Sequence, residues 1–378
     1  MSELNFSSTN NSLYGKFFRL SFTYIILIVL LALIGTMTLY SAANGSWEPW
    51  AGKHLLRFGI SLLLMFGLAL IDVRHYYKFA YVFYFISLLL LIVVEVSGHI
   101  GMGAQRWINF GFFKLQPSEL MKIGLVLFIA RYFSAMTMQG IHAIRGIIIP
   151  AVFALLPVVL IILEPDLGTA MMLLFTAALM FFAVGVQWWK FALVGILGLA
   201  ALPVAWNFLH EYQQNRVLTF LDPERDPLGT GYHIIQSKIA FGSGGLFGKG
   251  FLHGTQTHLN FLPEKHTDFI FTMFSEEFGM VGGLILLFVN LLILALGYLF
   301  AFRCRNYFAR LVIIGLNTNY FLYIFINISM VMGLLPVVGV PLPLISYGGT
   351  VMFSIMASFG IILCMSINPN TPNSFDDD

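Results

Sequence analysis

Asp268 is the residue of this chain whose position most directly suggests chemistry. It closes the polar run Phe261-Leu262-Pro263-Glu264-Lys265-His266-Thr267-Asp268 and stands where an apolar run, Phe269-Ile270-Phe271, begins. A carboxylate at such a boundary costs free energy unless it meets water, a cation or a substrate hydroxyl, so it is a functional candidate by default. Pro263 favours a helix start soon afterwards, which would put Glu264 and Asp268 one turn apart on a shared face and Lys265 three residues from Asp268. Capping is the competing explanation, since helix N-termini favour aspartate. The same dipole lowers an acid's pKa, so service as a general base requires offsetting burial near substrate.

Other charges cost too much to be idle. In Gln116-Pro117-Ser118-Glu119-Leu120-Met121-Lys122, the proline suits a first helical turn, and Glu119 and Lys122 fall three residues apart on one face. Each isolated charge would cost about 2.5 to 3.5 kcal/mol at mid-bilayer, so the spacing predicts a pair facing the protein interior or a wet cavity. A structural pair and a cavity lining are both open readings. In Glu164-Pro165-Asp166, Asp166 is placed to cap the next helix, while the two carboxylates could instead hold a cation or pair with a basic residue of another loop. Arg106 could bind an anion and Trp107 could stack on a sugar face; interfacial anchoring is the plainer alternative.

The longest polar stretch, 210–267, supplies more. Turn formers crowd Leu221 to Gly231, and Tyr232 to Phe241 could form an amphipathic helix lying on the membrane. The glycine-rich run Gly242 to Gly250 allows close backbone approach to a ligand, and its N–H groups with Lys249 could cradle a phosphate as a flexible cover over the site. It lacks the Walker spacing, so soluble nucleotide hydrolysis is not indicated.

The elements that must position these residues are membrane helices. The 378-residue chain is 58% hydrophobic and 10% charged, with mean hydropathy +0.85, more apolar surface than a soluble core can hide. The reading is an all-α polytopic membrane protein, a single domain over 1–378 with about ten spans of roughly 20 residues. They fall near 20–43, 54–72, 76–97, 117–134, 146–163, 167–185, 188–209, 268–302, 311–335 and 341–366. The first is too long for a signal-peptide core and reads as a retained span. The loops richer in Lys and Arg put both tails, 1–19 and 367–378, in the cytoplasm and 210–267 on the far side. Trp47, Trp50, Trp188, Trp189 and Trp206 sit near span ends, as an interfacial belt requires. A net charge of +2 implies no nucleic-acid partner, and Cys304 and Cys364 form no disulfide or zinc pattern.

Four motifs, Gly242 to Gly250, His253-Gly254-Thr255-Gln256, Phe261 to Phe271 and Pro341-Leu342-Pro343-Leu344-Ile345-Ser346-Tyr347-Gly348-Gly349-Thr350, together resemble the SEDS family. Gln105-Arg106-Trp107, Gln116 to Lys122 and Glu164 to Thr169 extend the resemblance over essentially the whole chain, and Lys249 to Gln256 with Lys265 favour its elongation branch over its division branch. The resemblance implies a peptidoglycan glycosyltransferase of the bacterial inner membrane. It implies a class B penicillin-binding protein as partner, and lipid II and undecaprenyl-pyrophosphate-linked glycan as substrates. Asp268 matches the family's essential acid and would accept the proton of the acceptor's 4-hydroxyl, whose oxygen attacks the anomeric carbon of the donor. One inverting displacement from an α-pyrophosphate to a β-1,4 bond needs no nucleophilic side chain. Arg106, Arg216, Lys249, Lys265 or a divalent cation, Mg or Mn, would neutralise the departing pyrophosphate. Trp107, Glu264 and His266 complete the substrate contacts, and Glu119 and Lys122 would line a cavity for the polyprenyl chain or organise the site. No nucleotide or organic cofactor is implied. A lipid transporter and a noncatalytic scaffold are the rival readings; a transporter should hold its critical charges near the midplane.

Overall fold

Lipid offers no hydrogen bonds, so each apolar run must close its own backbone, and here each does so as a helix. The structure, a computed structural model, describes residues 19–97, 99–101, 104–109, 111, 114–207, 211–225, 230–255 and 265–368. Residues 1–18 and 369–378 of the expected tails, and Glu264, lie outside the described residues. In chain order come α1 (Phe22–Ala42), α2 (Ala51–Leu70), α3 (Val73–Ser97), β1 (His99–Gly101), β2 (Ala104–Asn109), β3 (Lys114–Leu115), α4 (Pro117–Ser134), α5 (Met138–His142), α6 (Ile144–Leu163), α7 (Leu167–Val184) and α8 (Trp188–Trp206). Then follow α9 (Glu211–Leu221), α10 (Thr230–Ser243), α11 (Ile270–Arg303), α12 (Tyr307–Val331) and α13 (Gly349–Ile367).

Among the described residues eight helices, α1, α2, α3, α6, α7, α11, α12 and α13, are long and apolar enough to cross a membrane. The fold class is therefore polytopic and all-α, as composition required. Helix α4 carries Glu119, Lys122 and Arg131, and α8 offers the shorter apolar stretch Trp188–Ala201. Helices α12 and α13 form the centre: α12 packs on α4, α7, α11 and α13, and α13 packs on α2. Leu63, Leu89, Val152, Leu197 and Leu291 are exposed on the outer helices, a surface suited to lipid. Polar side chains fasten α11 to α12: Tyr320 donates to Asn290 Oδ1 at 2.6 Å and Asn317 Nδ2 to the Leu294 carbonyl at 2.9 Å, the usual glue between membrane helices.

Three departures from the sequence reading bear on function. The loop after α3 is an antiparallel three-stranded sheet, β1-β2-β3, pairing His99 with Trp107 and Ile108 with Leu115. The last span begins at Gly349, not 341, because Pro341 and Pro343 have no N–H to give a helix. Its entry, 341–348, folds back on itself, with the Ser346 hydroxyl accepting from Leu342 N at 2.7 Å. Finally, α10 is docked on protein instead of simply lying on the membrane: Ser237 Oγ meets Thr272 Oγ1 at 2.7 Å and donates to the Val331 carbonyl at 3.0 Å.

Candidate active site at the mouth of α11

Asp268 lies in a turn just before α11, which starts at Ile270. It does not sit one helical turn inside, as the spacing suggested, because the carbonyls that would begin a helix are engaged elsewhere. The His266 carbonyl accepts from Tyr347 N at 2.8 Å, that of Thr267 from Ser346 Oγ at 2.7 Å, and that of Asp268 from Asn327 Nδ2 at 2.9 Å. Asn327 Nδ2 also donates to the Val340 carbonyl at 2.7 Å. One amide thus ties the acid to the chain entering α13. Asp268 is half-buried, Lys265 buried and His266 half-buried. Burial pulls the Lys265 amine below its ordinary pKa. The His266 ring stacks on Trp50, 4.5 Å between centroids and 11° from parallel, and the Arg57 guanidinium sits 4.7 Å from the centre of the Tyr347 ring. Trp50, Arg57, Asn327, Ser346 and Tyr347 were not legible as site residues.

A second cluster shares a wall with the first. Arg106, on β2, donates from Nε to the Glu164 carbonyl at 3.2 Å and from Nη2 to the Pro165 carbonyl, with Nε 3.8 Å from Asp166 Oδ2. Asp166 caps α7, its Oδ1 accepting from Thr169 N at 3.2 Å and its Oδ2 from Thr169 Oγ1 at 3.0 Å. Both open readings of this turn therefore hold at once: it caps, and it pairs with a basic loop residue. Burial, then the neighbouring Asp166 and Glu95, push the Glu164 carboxyl up to about 8, with Arg106 pulling the other way. A Cβ on Gly168 would meet the Val338 carbonyl at 2.8 Å, and one on Gly339 would lie 3.5 Å from Asp268 Oδ2. The strip Val338 to Val340 is thus sandwiched between the start of α7 and Asp268. Trp107, beside Arg106, is half-buried.

Glu119 and Lys122 pair at 2.7 Å in the interior, 3% and 2% exposed. Tyr323 of α12 closes the pair: its hydroxyl donates to Glu119 Oε2 at 2.5 Å and receives from Lys122 Nζ. The Ser354 hydroxyl of α13 donates to the Glu119 carbonyl at 3.2 Å. Each charge therefore has partners within protein, as a buried pair needs.

The glycine-rich run is not an open cradle. Helix α11 breaks at Gly279, whose φ of 68° and ψ of −167° leave the helical region, and the run fits into that break. Lys249 N and Gly250 N donate to the carbonyls of Glu276 and Glu277, each at 3.0 Å. In return Met280 N and Val281 N donate to the carbonyls of Gly245 and Leu246 at 3.0 and 3.1 Å. The close approach expected toward a ligand is made instead toward α11: a Cβ on Gly248 would collide with the Glu277 carbonyl. Lys249 Nζ contacts Glu276 Oε1 and Thr255 Oγ1, both at 2.7 Å, and Ser41 donates to Glu277 Oε1. Glu276 and Glu277 went unnoticed in the sequence, although two acids inside an apolar run are costly enough to be a signal. Arg216 lies half-buried on α9. Among the described residues no group of three or more His, Cys, Asp or Glu could hold a metal ion.

Fold and mouth together define a polytopic membrane protein with its ionisable chemistry gathered where an irregular loop re-enters a helix. Residues 17–371 match the model of the FtsW, RodA and SpoVE cell cycle proteins, and the chain belongs to this SEDS family. It is 43% identical to the peptidoglycan glycosyltransferase MrdB of Escherichia coli K12, over 89% of this chain and 91% of that protein. It is 34% identical to the stage V sporulation protein E of Bacillus subtilis 168, over 90% and 95%. Among solved structures it resembles a chain presented under "Structural coordination of polymerization and crosslinking by a peptidoglycan synthase complex", with TM-score 0.80, 32% identity, and 93% and 99% covered. It also resembles the rod shape determining protein RodA of Thermus thermophilus, with TM-score 0.71, 28% identity, and 93% and 98% covered.

Proposed function

We propose that this chain is a peptidoglycan glycosyltransferase that polymerises lipid II into β-1,4 glycan for cell elongation, with Asp268 as the general base. Family membership and the names of its relatives support the activity. The observation that carries the residue assignment is Asp268 itself: a half-buried acid three residues after a buried Lys265, on a turn whose carbonyls are pinned by Tyr347, Ser346 and Asn327. Such pinning holds a base in place before substrate arrives, which is where proximity catalysis gains most. Asp268 takes the proton of the acceptor's 4-hydroxyl, the oxygen bonds to the donor's anomeric carbon, and the bond from that carbon to pyrophosphate breaks with inversion. Lys265, its amine pKa lowered by burial, regains a favourable charged state beside a phosphate. Arg106 and Arg216 are the further candidates for the leaving group, with Trp107, Glu264 and His266 on the sugars. A divalent cation, Mg or Mn, would enter with the phosphates.

Glu119 and Lys122 support the site from within, and their closure by Tyr323 favours polymerisation over transport, which needs accessible midplane charge. The partner we propose is a class B penicillin-binding protein. The chain would reside in the bacterial inner membrane with both termini cytoplasmic. In support, Arg131 and Lys190 donate to the carbonyls of Lys78 and His142 at one set of helix ends, matching the cation-rich loops read as cytoplasmic. The test is purified Asp268→Asn supplied with lipid II. Polymer formation should fall about 10² to 10⁴-fold, the range of a lost general base; wild-type yield would sink the assignment.

A further inference from the structure

The run Gly244 to Gly250 and the break in α11 form one device. The half-helix Ile270–Phe278 has Asp268 just before its start and Gly279 at its end. It is roughly 13 Å long at 1.5 Å per residue, so a 10° change of direction at Gly279 would carry the Asp268 end by roughly 2 Å. A misplacement of about 1 Å can cost 10²-fold in rate. The direction of this half-helix is therefore a catalytic variable, and the break at its end needs something to fix it. That something is the loop, through four backbone hydrogen bonds: two donated to Glu276 and Glu277, two accepted from Met280 and Val281. Two collisions keep the fit close, since a Cβ on Gly248 would strike the Glu277 carbonyl and one on Gly244 the Ser275 carbonyl.

The side chains complete the clamp. Glu276 is fully buried, and Lys249, with a quarter of its side chain exposed, meets its Oε1 at 2.7 Å while Thr255 Oγ1 reaches the same oxygen at 3.2 Å. Ser41 of α1 binds Glu277 on the adjoining position. The ammonium of Lys249 is thus turned toward the helix that leads to Asp268.

We propose that the Gly244 to Gly250 loop is a splint that sets the direction of the first half of α11, with Lys249 and Glu276 as positioning residues for Asp268. The proposal rests on the base assignment above, and it reassigns Lys249 from substrate phosphate to the inside of the protein. Removing Lys249 alone takes the cation at 2.7 Å away from the buried Glu276 carboxylate, whereas removing both charges leaves a neutral pair.

Three variants of the purified chain, Lys249→Met, Glu276→Gln and the double variant, would be assayed with lipid II for kcat and KM. Lys249→Met should lower kcat about 10 to 100-fold with KM within about twofold, and adding Glu276→Gln should restore kcat to within about threefold of wild type, as coupled neighbours do. Hydrogen exchange at the Met280 and Val281 amides should quicken in Lys249→Met and return in the double variant. A double variant as slow as Lys249→Met, with raised KM, would mean that Lys249 meets the substrate and would overturn the splint. Unchanged exchange in Lys249→Met would overturn it as well. The Asp268→Asn protein separates the two ideas: its exchange at these amides should match wild type while its activity is lost. Retained activity there defeats the base assignment, and the exchange result still judges the splint.

Discussion

Glu119 and Asp268 are both acids at the start of a helix, α4 and α11, and the fold places them in opposite surroundings. Glu119 is enclosed, with a lysine on one oxygen, a tyrosine on the other, and a serine on its carbonyl. Every acceptor it offers is met by protein. Asp268 is half-buried just before α11, and Asn327, Ser346 and Tyr347 hold its backbone and that of its neighbours. Acids in a membrane protein are expensive in either case. What separates the two acids is their setting: Glu119 is sealed between α4, α12 and α13, whereas Asp268 stands half-buried on a turn whose main chain is held by distant segments.

Exchange of the two acids should separate these roles most widely. Asp268→Asn should abolish polymerisation by about 10² to 10⁴-fold with little change in melting temperature, measured side by side in detergent. Lys122→Met should act first on stability, taking the cation from Glu119 and leaving it Tyr323, at a cost of about 3 to 5 kcal/mol. Denaturant unfolding should then show most of that loss recovered in Glu119→Gln/Lys122→Met; equal stability of single and double variants would break the comparison. Next in size, Asn327→Ala removes the amide shared by the Asp268 and Val340 carbonyls. It should cost about 1 to 3 kcal/mol and reduce kcat more than it raises KM. An effect on stability alone would place the anchor with the structural acids.

A pH series sharpens the contrast with a third acid. Glu164 holds its proton to about 8 in the folded chain against an ordinary 4.5. The native state then binds more protons between those values, so this group's contribution to stability falls as pH rises from about 4.5 to about 8, by linkage. Glu164→Gln should flatten that slope in melting temperature between pH 5 and pH 8. Smallest, Trp50→Ala removes the stack on His266 and should cost about 0.5 to 1.5 kcal/mol, seen as a rate loss of about twofold to tenfold.

Local spacing made part of this legible in advance. The i,i+3 pair of Glu119 and Lys122, the cap at Asp166 and the membrane class all follow from neighbours in sequence and from composition. Tyr323 could not be read, because it reaches Glu119 from a distant helix and a buried tyrosine in an apolar run looks like packing. Nor could the break at Gly279, since glycine is frequent in membrane helices and its neighbours Phe278, Met280 and Val281 are uniformly apolar. The partner of the glycine-rich run was hidden for a related reason. Glycine permits close approach, but the sequence does not say whether the visitor is a ligand or the protein's own backbone. The start of α11 shifted because three carbonyls found partners in distant segments, a competition that local propensity does not contain.

The break in α11 also bears on how the chain is made. The loop that satisfies the opened peptide groups precedes α11 in the sequence, so during synthesis it emerges first. An opened helix inserted alone would bare carbonyls and amides to hydrocarbon, but here the matching groups are already delivered when the helix arrives. We expect from this order that a circular permutant placing the loop after α11 would insert poorly into membranes, even though its folded contacts would be identical; insertion equal to that of the native order, scored by protease protection, would refute it.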